Sequence, residues 1–97
     1  MKIPSKIKIG GYFYDIEIDE TLALKSGCQG TQCSNTLEIK IDGGIAQQNK
    51  ESTLIHEIIE AINYHYELKL EHTVISTLES ALYQVITDNS SMFKEGD

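Results

Sequence analysis

Polar and apolar residues alternate through the first half of the chain. Lys6-Ile7-Lys8-Ile9 alternates, Gly10-Gly11 interrupts, and Tyr12 to Asp19 resumes with Tyr14, Ile16 and Ile18 on one face. A period of two on each side of a Gly-Gly pair predicts two strands joined as a hairpin. Glu20 to Gly27 carries no clear period and reads as a loop or a helical turn. Gly27 to Cys33 reads as a short strand of small polar residues, and Ser34-Asn35 is a turn signal. Thr36 to Asp42 alternates again and ends at Gly43-Gly44.

The period then changes. From about Asn49 to Tyr66, Leu54, Ile55, Ile58, Ile59, Ile62 and Tyr66 recur three and four residues apart, the spacing of one helix face. After a short connection at Leu68-Lys69-Leu70, a second helix from about Thr73 to Asp88 carries Val74, Ile75, Leu78, Ala81, Leu82, Val85 and Ile86. So short a loop predicts an antiparallel pair. The expected fold class is α+β: a small antiparallel sheet of three to four strands, followed by two antiparallel helices packed on it. Residues 1–90 form a single domain, and 91–97 form a tail with little to bury that frays.

Ninety-seven residues suffice for one domain of modest core. The formal net charge of −7 argues against nucleic acid as the main partner, since phosphate binding requires a basic face. No apolar run is long enough to span a membrane, and the N-terminus lacks the pattern of a signal peptide. The expected location is therefore cytoplasmic. Cys28 and Cys33 read as free thiols facing each other across a tight turn, not as a metal site, because no second cysteine pair accompanies them.

The candidate chemistry lies in the first helix, at His56-Glu57-Ile58-Ile59-Glu60. His56 and Glu60 are one turn apart on one face, the spacing at which a helix presents two ligands to one metal. Asn63 and Glu67 continue that stripe. Glu57 falls on the more polar side, placed to act as general base toward water at the metal. On the second helix Glu79 sits at the edge of the apolar arc, with Tyr83 one turn on and His72 two turns before. An antiparallel pair brings the stripes together, so His56, Glu60 and Glu79 form a three-ligand set, with His72 as an alternative third or a fourth ligand. His65 falls on the apolar arc and reads as a packed histidine. Tyr83 reads as a packing residue with its hydroxyl at the rim, or as an oxyanion donor in an active site.

Eighteen residues separate Glu60 from Glu79. H-E-x-x-H, eighteen residues and a glutamate is the gluzincin metallopeptidase pattern, and the chain resembles it everywhere but at Glu60. The succession of Leu54 to Ile62, Leu68-Lys69-Leu70-Glu71-His72 and Leu82-Tyr83-Gln84-Val85 is similar to small phage- or prophage-encoded zincin-like proteins, over roughly residues 6 to 89. The resemblance implies a minimal zincin-like fold. It also implies a metal-dependent peptide hydrolase in which Glu57 is catalytic and His56, Glu60 and Glu79 hold the metal. A set of one histidine and two glutamates shifts preference from zinc toward harder divalent ions and weakens the ion as a Lewis acid. The alternative is a metal-free, inactive scaffold: a binding module, or a homodimer, that engages a host or phage protein. The expected partner is in either case a peptide or protein.

Overall fold

The computed structural model describes residues 1–94 of the chain. Strands β1 (Lys6–Ile9) and β2 (Tyr12–Asp19) form the expected hairpin, with Gly10 and Gly11 at φ 59° and 87°, the left-handed pair of a two-residue turn. A short helix, α1 (Leu22–Ser26), ends on a left-handed Gly27. Strands β3 (Gly30–Cys33) and β4 (Glu38–Asp42) follow, then helices α2 (Gln47–His65) and α3 (His72–Asp88) and a single 3-10 turn at Ser90–Phe93.

The fold is α+β, a four-stranded sheet followed by two main helices. Its sheet is mixed, not purely antiparallel: the order is β1-β2-β4-β3, and the central pair β2–β4 runs parallel. The chain leaves β2 through α1, lays β3 at the far edge and returns as β4 between β3 and β2. That central position suits β4, whose Ile39 and Ile41 are completely buried. It starts two residues later than alternation predicts, because Leu37 turns the chain at φ 58°. Cys28 and Cys33 are exposed free thiols; Cys33 ends β3 and Cys28 lies two residues before its start, so an extended strand and no tight turn separates them. Beyond Asp88 the chain makes a 3-10 turn at Ser90–Phe93, and residues 95–97 of the expected tail lie outside the described residues.

Helices α2 and α3 do not lie side by side on the sheet. Helix α2 packs on the sheet, and α3 packs on α2. One core lies between sheet and α2, where Tyr14, Ile16, Ile39 and Ile41 meet Leu54 and Ala61. A second lies between the helices, where Ile55 and Ile59 meet Ile75. Helix α2 is therefore buried on two sides, and its polar residues are drawn in: Glu51, Thr53 and Glu57 are all buried. Glu51 accepts hydrogen bonds from Tyr83 (2.8 Å) and Gln47 (3.1 Å). Burial pushes its carboxyl pKa up, but these donors and the nearby amino terminus outweigh it, and the net shift is downward.

His65 is a packed histidine, as its position on the apolar arc predicts. Its Nε2 lies 2.6 Å from the buried Tyr14 hydroxyl, and its ring stacks on Tyr12. At the other end of the sheet β3 approaches α2 so closely that only glycine fits at position 30. A Cβ there would lie 2.4 Å from Thr53 Cγ2. Thr53 is β-branched and on a helix, so it has little rotamer freedom with which to yield. Gly30→Ala is expected to cost about 2 kcal/mol, read as a lower urea midpoint with unchanged slope. An unchanged midpoint would contradict the close approach of β3 to α2.

Candidate metal centre

Helix α2 presents His56, Glu57 and Glu60, and the start of α3 presents His72. Three of these converge. His56 Nε2 lies 3.6 Å from Glu60 Oε2, which lies 3.9 Å from His72 Nδ1. One ligand atom from each of His56, Glu60 and His72 can be chosen so that all lie within 4.8 Å of one another. Both measured separations exceed hydrogen-bonding distance. They approach the roughly 3.4 Å edge of a tetrahedron with bonds of about 2.1 Å. The donor atoms thus flank a common gap and are candidate ligands for one small divalent ion.

Glu79 occupies a different place. Its Oε1 accepts a hydrogen bond from Nδ1 of His56 at 2.8 Å. A carboxylate on Nδ1 makes that nitrogen the donor, and in the neutral ring Nε2 is then the free acceptor, directed toward Glu60. The structure thus brings together all four residues singled out from the sequence as ligands. His56, Glu60 and His72 share the gap, and Glu79 holds the His56 ring through its other nitrogen.

His72 reaches the gap because of the loop that precedes it. Asn63 Oδ1 accepts a hydrogen bond from the Leu70 backbone N–H at 2.9 Å, tying the loop to the last turns of α2. Glu67 and Lys69 take left-handed conformations within it. The loop turns tightly enough to start α3 at His72, whose ring lies 5.0 Å from that of His56, centroid to centroid. Asn63 belongs to the polar stripe of α2, but its role is to position the loop.

Glu57 is not on a polar side of the helix. It is 7 % exposed and forms part of a cleft of about 310 Å³ that also takes in His56, His72 and Glu79, with Cys28, Gln29 and Gly30 as the opposite wall. Gly30 covers it: an added Cβ there would lie 3.0 Å from Glu57 Oε2. Burial pushes the Glu57 carboxyl up to about 7; the carboxylates of Glu60 and Glu79 add to the rise, and His56 opposes it. Three carboxyls share this end of the molecule, and Glu57 is the most deeply buried of them. Tyr83 is engaged with Glu51 and takes no part in the cleft.

The contribution of Cys28, Gln29, Gly30 and Thr53 to the cleft has no counterpart in the sequence motif. Gly30, a glycine within a strand, is the one local sign of a close backbone approach. No family model, curated protein or solved structure matches the chain. Among the described residues, no helix is long and apolar enough to cross a membrane.

The Glu57 shift has a definite consequence for the metal-free protein. Folded Glu57 binds its proton more tightly than the unfolded chain does, so its contribution to stability is intact below the ordinary value of 4.5. That contribution falls as pH rises and is fully lost above about 7. The loss amounts to about 3 kcal/mol. Glu57→Gln, which cannot ionise, is expected to be more stable than the parent at pH 8 and to lose that advantage toward pH 5, by urea unfolding with chelator present. An equal difference at the two pH values would contradict the buried, proton-holding Glu57.

Proposed function

We propose that this chain is a metal-dependent peptide hydrolase on a minimal zincin-like scaffold. The observation that carries the proposal is the convergence of His56, Glu60 and His72, two of which, His56 and His72, also line the cleft that holds the buried Glu57. The donor set supports it. Two imidazoles and one carboxylate form a standard ligand set of catalytic zinc, with a position left open for water or substrate. The H-E-x-x-H pattern takes its second imidazole from the fourth residue after the first, and its carboxylate from the following helix. In this chain Glu60 supplies the carboxylate and His72 the second imidazole, so the residue types are exchanged while the set is kept. This reading favours zinc, whereas a site of His56, Glu60 and Glu79 would favour a harder ion.

A divalent ion held by His56, Glu60 and His72 would polarise a peptide carbonyl and acidify water. Glu79 fixes the His56 ring through Nδ1, which would leave Nε2 free to hold the ion. Glu57, with its proton affinity raised by burial, accepts a proton from the water that attacks the carbonyl carbon. As the C–N bond breaks it delivers that proton to the departing amine nitrogen. Gln29 and Gly30 lead into β3, an edge strand, which offers backbone groups to an extended peptide by strand addition.

The test is peptide-library cleavage by protein loaded with zinc and, in parallel, manganese. Cleavage that stops with chelator, and that Glu57→Gln lowers by at least about 100-fold while bound metal stays stoichiometric, is the expected result. Glu57→Gln protein that cleaves normally would contradict the assigned role. The exposure of the His72 side chain, 73 %, favours a second reading in which the scaffold binds a protein partner without cleaving it. That reading predicts an empty site in purified protein and melting indifferent to added metal.

A further inference from the structure

Helix α3 carries more apolar surface than its packing uses. Ile75 is its single buried residue, and Tyr83 and Ile86 are partly buried beside it against α2. Val74, Leu78, Leu82 and Val85 are 37–42 % exposed, and Ala81 is exposed between them. At about 100° per residue these five occupy one arc, separate from the arc of His72, Ile75, Glu79 and Tyr83 that faces α2. The remaining arc holds Thr73, Thr77, Ser80 and Gln84, all uncharged.

We propose that this outer stripe of α3 is the interface of a twofold homodimer in which the α3 helices of two copies pack antiparallel. Charge selects the occupant. The chain carries −7, yet the only charged side chains of α3 besides His72 are Glu79, engaged with His56, and Asp88 at the last position. A foreign partner steered by charge would find nothing to read here, whereas two acidic copies meet without opposing carboxylates. The stripe also fits its own twofold. Leu78 and Val85 are equally distant from a midpoint between Ala81 and Leu82, so in an antiparallel pair Leu78 of each copy meets Val85 of the other. Ala81, small and central, lets the helices approach at the crossing. An open depression of about 260 Å³ bounded by Thr73, Val74, Thr77 and Leu78 faces the second copy's C-terminal half of α3.

The area fits a reversible dimer. A helix of 17 residues is about 25 Å long and about 10 Å wide, and pairing two of them covers on the order of 1,000 Å² in total. That lies below the standard size of specific interfaces, in the range of weak and transient contacts, so the dimer is reversible and concentration-dependent. The pairing leaves the cleft open, since His72 and Glu79 lie on a different arc of α3.

Sedimentation equilibrium of the full chain from about 10 µM to about 1 mM tests this. The average mass should rise from 10.9 kDa toward twice that value, and Leu78→Glu should hold it at 10.9 kDa with an unchanged helical circular dichroism spectrum. A second variant pair does not depend on tolerance of a charge. With Cys28 and Cys33 replaced by serine, Ala81→Cys should oxidise readily to an interchain disulfide, and Gln84→Cys on the polar arc should not. A mass fixed at 10.9 kDa at all concentrations would overturn the proposal. So would a dimer that survives Leu78→Glu, or equal oxidation of the two cysteine variants.

Discussion

The two-sided burial of α2 is the constraint on which the rest of the molecule depends. Leu54 and Ala61 close the core against the sheet, and Ile55 and Ile59 close a second core against Ile75 of α3. A helix held between two layers has little solvated face left, so its polar residues must find partners or carry a cost. Glu51 finds Tyr83 and Gln47, and His56 finds Glu79. Glu57 meets the cost by holding its proton. The groups that could do chemistry are the polar residues this burial leaves at one end of the inter-helix seam.

The geometry of that end follows from two close approaches. Gly30 lets β3 come down over Thr53 and Glu57, which takes Glu57 out of water and walls the cleft. Asn63 ties the loop before α3, which starts that helix with His72 beside Glu60. Neither residue is a candidate ligand or catalyst. A scaffold of fewer than a hundred residues has few elements to spare, and here turn and packing residues also set the site.

Much of this was legible in the sequence, for a physical reason. The β1–β2 hairpin is local: alternation defines both strands and Gly10-Gly11 supplies the left-handed turn between them. The helices are local too, because three- and four-residue spacing records which residues must share a side. The parallel pairing of β2 with β4 is not local. It depends on where β4 inserts after the excursion through α1 and β3, and alternation within either strand does not encode its neighbour. The same limit applies at the site. His56, Glu60, His72 and Glu79 were identifiable as a group from their positions on two helices. Which of Glu79 and His72 faces the gap depends on the exact turn of the intervening loop. Glu57 looked solvated on the α2 wheel, because a wheel shows a helix without the strand that lies over it.

On the proposed reading His56 and His72 jointly face one ion while His65 is structural. With three histidines in the chain, ¹⁵N-edited NMR of the imidazole rings during a zinc titration examines it directly. The His56 and His72 ring nitrogens are expected to shift together and saturate at one equivalent, with His56 bound through Nε2, while the His65 ring, hydrogen-bonded to Tyr14, does not move. Independent shifts of His56 and His72, binding at His65, or no response to zinc at all would contradict it.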